Sequence, residues 1–167
     1  ELIDTLLKSN FRVLLRPHFR TLRDSKGLID SIKDKFGKNP NFTFEDGVIP
    51  SEYFHNSICM VSDWSGISME YAFTFERPII FIDVPKKTLN PNSSDILLEP
   101  IEMSLRSKLG YIVSPNNLKI IPALIKDTNK NNKFSQQIHK MRSEIVFNIG
   151  ESAKIGADFI QQLIKSN

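Results

Sequence analysis

Cysteine is nearly absent. Cys59 is the single thiol in 167 residues, which excludes a disulfide within the chain and fits a reducing, cytoplasmic compartment. It stands in the apolar run Ile58-Cys59-Met60-Val61, where a small buried thiol is expected rather than a reactive one. Long apolar runs are missing too: none approaches the roughly 18 to 20 residues of a spanning helix, and no signal-peptide pattern opens the chain. Any membrane contact is expected to be peripheral, on the inner face of the cytoplasmic membrane. His55 and His139 have no partners at metal-ligand spacing, so neither a metal nor a cofactor is expected. Excess charge is small, at +3 with a pI near 9.0, compatible with a phosphorylated ligand without requiring one. Arg12, Arg16, Arg20 and Arg23 alternate with apolar residues and form no nucleic-acid module.

What is present is the composition of one packed domain over residues 1–167. Hydrophobic residues make up 40%, enough at this length for a core that takes up about two-thirds of the unfolded surface. The chain opens without an initiator Met and directly in helix-like sequence, which leads us to expect a piece of a longer protein.

Periodicity predicts alternating helices and short strands. Leu2, Ile3, Leu6 and Leu7 have helical spacing, Phe11 to Leu15 is β-prone, and Leu22 to Phe36 carries an apolar helical face. Strands follow at Phe42 to Glu45, Ile58 to Ser62, Pro78 to Ile82 and Gly110 to Val113. Helices are expected at Ser51, from Ser65 or Gly66 to Phe75, at Glu99 to Lys108, from Ser114-Pro115, at Phe134 to Phe147 and at Ser152 to Lys165. Pro85 to Asp95 reads as a loop. The alternation implies a three-layer α/β domain of Rossmann-like type with one mostly parallel sheet.

In such sheets ligands bind beyond the carboxyl ends of strands. Two strand ends carry suitable residues. One reads Arg16-Pro17-His18, a bidentate cation and an imidazole flanking a rigid proline. The other reads Ser62-Asp63-Trp64-Ser65-Gly66-Ile67-Ser68-Met69-Glu70, where backbone N–H groups at a helix start could meet an anion. Each has a plainer alternative: Ser65 as a helix cap, and Arg16 and His18 as surface residues bonded to nearby loops. Trp64 is as well suited to packing as to stacking on a ligand.

Taken together, Arg-Pro-His after one strand and Ser-Asp-aromatic-Ser-Gly after another, followed by Arg77-Pro78-Ile-Ile-Phe, resemble the CDP-glycerol glycerophosphotransferases. The match runs roughly from Phe11 to Asp83. The resemblance implies the C-terminal half of a GT-B architecture, binding CDP-glycerol or a related nucleotide-linked donor and serving a polymer acceptor. It places Arg16 and His18 at the leaving diphosphate, Ser65 and the Gly66 backbone on the same phosphates, and Ser68 among the donor-binding residues. Asp63 would shape the turn, and Glu70 would hold ribose hydroxyls.

Gly66 departs from the second serine common in that family. By the same resemblance, an N-terminal acceptor domain bearing the catalytic base, and the first strand of this half, lie outside the chain. A nucleotide-sugar transferase or 2-epimerase of the same fold, and a noncatalytic nucleotide-binding domain, are the competing expectations.

Overall fold

Helices and short strands alternate in a computed structural model that describes residues 1–48, 50–85 and 99–166. The first part runs α1 (Leu2–Lys8), β1 (Val13–Leu15), α2 (Phe19–Asp24), α3 (Lys26–Phe36), β2 (Phe42–Phe44) and α4 (Ser51–Asn56). Then come β3 (Met60–Ser62), α5 (Gly66–Phe75), β4 (Ile79–Ile82), α6 (Ile101–Leu109) and β5 (Gly110–Val113). A 3-10 turn (Pro115–Ile120), α7 (Ile121–Lys130), α8 (Lys133–Ile145) and α9 (Ser152–Lys165) complete the chain. The expected Pro85 to Asp95 loop lies, beyond Pro85, outside the described residues.

The strands form two parallel sheets rather than the single one expected: β1 with β2, and β3-β4-β5 with β4 in the middle. No hydrogen-bonded ladder joins β1 to β3 among the described residues. The physical link between the sheets is apolar. Val13 of β1 and Val61 of β3 both pack on the cluster of Leu6, Ile80, Val113, Ile121 and Ile125.

Period-two alternation in β4 produces the layers. Ile80 faces that cluster, on the side of α1 and α7, while Ile79 and Phe81 join Tyr71, Leu105, Leu109 and Ile138 on the side of α5, α6 and α8. Helices thus cover both faces of the larger sheet, as a parallel sheet requires. The close join of β4 and β5 depends on Gly110, because a Cβ there would sit 1.7 Å from the Ile79 carbonyl oxygen.

Two helix ends are informative. α5 stops at Glu76, whose φ of 51° is left-handed, a conformation usually left to glycine or asparagine. Its carboxylate is tied to α8, accepting from His139 at 3.0 Å and Arg142 at 2.9 Å. Arg77 then donates to the carbonyls of Phe54, His55 and Ser57, closing the end of α4.

α9 has no buried residue. Phe147 is 77% and Phe159 59% exposed, and Ile155, Ile160, Leu163 and Ile164 are exposed beside them. These apolar side chains at the end of the chain are therefore open. Among the described residues no helix is long and apolar enough to cross a membrane.

Candidate functional site

The turn from β3 into α5 is held by its own backbone and by Ser68. Ser65 is the N-cap in extended conformation, yet its side chain makes no capping bond. Its carbonyl accepts the Ser68 N–H at 3.1 Å and the Ser68 hydroxyl at 2.6 Å. Ser68 is buried at 1% exposure, so its hydroxyl shapes the turn from inside and does not fit the donor-contacting role expected of it. Asp63, expected to shape the turn, is exposed and makes no side-chain hydrogen bond among the described residues.

What remains at the helix start is backbone able to meet an anion. The first N–H groups of a helix have no intrahelical acceptor, and the dipole of this ten-residue helix is positive there. Gly66 is exposed, and a Cβ built on it meets nothing within 4 Å among the described residues. Glu70, one helical turn on and also exposed, shares the Gly66 face.

At the end of β1, Arg16 is exposed and without an ion pair among the described residues. His18 is exposed and is the N-cap of α2, its Nδ1 accepting the Arg20 N–H at 3.2 Å. An accepting Nδ1 in a neutral ring puts the proton on Nε2, which is left as a donor. The plainer reading of His18 is thus correct for one nitrogen and leaves the other available. No bond joins His18 to Ser65; their strands share a core but belong to separate sheets.

Sequence inspection missed a cluster at the exit of β4. Trp64 donates from Nε1 to the Val84 carbonyl at 2.8 Å, linking the α5 turn to that exit. Its ring lies under the Arg106 guanidinium, 3.8 Å away, with Phe81 at 5.1 Å. Arg106 donates to Asp83 Oδ1 at 3.1 Å and to the Ile82 carbonyl at 3.3 Å. The available signal was an arginine between Leu105 and Leu109 on the inward face of α6, where an apolar residue belongs.

Other features contribute no chemistry. Burial pushes the Cys59 thiol up to about 12, which makes it inert. A hollow of about 260 Å³ among Asn56, Ser57, Arg77, Asn129 and Asn132 lies at the opposite, N-terminal end of β3 and β4. Its arginine is already committed to the carbonyls at the end of α4. No group of three or more His, Cys, Asp or Glu that could hold a metal occurs among the described residues.

Compared with known proteins, the chain matches no family model, and no curated protein or solved structure shows significant similarity to it.

Proposed function

We propose that this chain is the donor-binding part of a transferase that uses CDP-glycerol or a similar nucleotide-activated donor. The observation that carries the proposal is the Ser65 hydroxyl, which makes no capping bond and has no hydrogen-bond partner among the described residues. A serine at an N-cap ordinarily bonds the helix; here Ser68 holds the turn, and the half-buried Ser65 stands next to the exposed Gly66 at the helix start, where the first N–H groups have no intrahelical acceptor. The motif resemblance supplies the ligand class, and the α/β architecture with helices on both faces of a parallel sheet is compatible with half of a GT-B enzyme.

In this reading the donor pyrophosphate lies on the Ser65-Gly66 turn, with Arg16 and the Nε2–H of His18 stabilising the leaving diphosphate. Glu70 accepts the ribose hydroxyls. The chain contributes positioning and charge neutralisation rather than a nucleophile. The acceptor, a growing surface polymer, and the catalytic base belong to a second domain by the same resemblance.

Calorimetric titration with CDP-glycerol, CDP, UDP-glucose and UDP-N-acetylglucosamine tests this. CDP-glycerol is expected to bind most tightly. Tighter binding of a UDP-sugar would move the assignment to a nucleotide-sugar enzyme, and binding of none of the four would reject the donor site.

A further inference from the structure

At the exit of β4 the fold keeps a charge where burial penalises it. Arg106 is 5% exposed, and its Nε is buried with no hydrogen-bond partner among the described residues. An apolar side chain would fill the space between Trp64 and Phe81 at least as favourably. What only the guanidinium can do there is fix an anion, Asp83, while its flat face orients Trp64. Unsatisfied buried polar atoms of this kind are characteristic of places where local stability is subordinate to function.

Asp83 is itself 55% exposed, as the first residue after the middle strand of the larger sheet. Its Oδ1 is taken by Arg106, and its Oδ2 has no partner among the described residues. Because β3 and β4 run parallel and Trp64 bonds the Val84 carbonyl, Asp83 stands at the same end of the larger sheet as the Ser65-Gly66 turn. An ionised carboxylate repels phosphate but accepts hydroxyl protons, and pairing with Arg106 limits that repulsion.

We propose that Asp83, fixed by Arg106 and Trp64, accepts the hydroxyl groups of a ligand whose phosphate lies on the Ser65-Gly66 turn. The ligand class is then a phosphorylated polyol or sugar rather than phosphate alone. The proposal rests on the donor-site reading for the phosphate end. With Glu70 on the ribose, the hydroxyls at Asp83 are those of the transferred group. Arg106 is a positioning residue that acts through Asp83.

Trp64 is the single tryptophan of the chain, so its fluorescence reports directly on this corner. The full chain is titrated with two ligand pairs, CDP-glycerol against CDP and glycerol 3-phosphate against inorganic phosphate. The glycerol-bearing member of each pair is expected to bind about tenfold more tightly. Asp83→Asn should reduce each preference to about twofold or less. Asp83→Glu, which keeps an anion for Arg106 and so protects the fold, should also lose most of it by displacing the accepting oxygen. Arg106→Lys should retain part of the preference, since it keeps the charge but not the fork.

Preferences unchanged in the folded Asp83 variants, or absent in the wild type, overturn the hydroxyl site even if CDP-linked ligands bind. A glycerol 3-phosphate preference that depends on Asp83, without any binding of CDP-linked ligands, supports the hydroxyl site and rejects the CDP-donor reading. No fluorescence or calorimetric response to any of the four overturns both.

Discussion

His18 Nδ1 accepts the backbone N–H of Arg20 at 3.2 Å, so one imidazole nitrogen starts α2 while the other is left as a donor. The two roles can be separated by mutation. His18→Ala removes both, and the lost cap should cost about 1 kcal/mol. His18→Asn keeps a capping oxygen and loses only the Nε2 donor. Both variants are expected to bind CDP-glycerol about tenfold more weakly, with only the alanine variant melting lower. Affinity restored by asparagine would mean that His18 only caps the helix.

A Cβ on Gly66 would meet no neighbour among the described residues, and its backbone is not in the left-handed region. Gly66→Ser is therefore expected to fold with a stability change within about 0.5 kcal/mol. Because the donors at the turn include backbone N–H groups, ligand affinity should be held or improved. A tenfold loss on titration would instead indicate that the ligand lies against the Gly66 backbone too closely for any side chain.

Glu76 couples α5 to α8, and the hydrogen bond from His139, then that from Arg142, holds its carboxyl below the usual carboxylate range. A depressed acid stabilises the fold above its unfolded pKa and loses that contribution as pH falls through its folded value. The wild-type melting temperature should therefore fall as pH drops below about 4.3. Glu76→Gln should melt lower at neutral pH and show a smaller decline over the acid window. Parallel melting-against-pH curves for the two proteins would show no role for the tie.

That last outcome requires curves of equal slope; diverging slopes support the tie between α5 and α8.

The exposed strip on α9 predicts indifference to polar substitution. Phe159→Ser and Ile164→Ser should each change stability by no more than about 0.5 kcal/mol. Ile138→Ala, in the α8 core position with no exposure, should cost about 2 to 5 kcal/mol. Thermal melts of the three variants check this, and a large loss at Phe159 would mean that the α9 face is covered within the chain.

Most elements were legible because their signals are local. Pro78 before Ile79 to Ile82, Pro115 after Ser114, and the apolar spacing of α8 and α9 each act within a turn or a strand. The split of the expected Leu22 to Phe36 helix into α2 and α3 was missed, because it depends on Ser25 and on a cap from His18 that spacing does not reveal. The separation of the sheets was also illegible: strands of three residues carry too few side chains to specify a neighbour. At the site, the order of residues around Ser65 located the turn but not the division of labour within it. Ser68 and Ser65 are both hydroxyls three apart, and only the fold buries one and leaves the other out. Arg106 and Asp83 are 23 positions apart, and nothing local pairs them.

The most direct test of the donor-site account is the effect of Ser65→Ala on CDP-glycerol affinity, measured by calorimetry beside a melting curve of the same protein. Because the Ser65 hydroxyl makes no capping bond, its loss should leave the melting temperature unchanged. Loss of a hydrogen bond to a charged phosphate should weaken binding roughly tenfold to a hundredfold. Unchanged affinity together with a destabilisation of about 1 kcal/mol, the signature of a lost helix cap, would contradict the account.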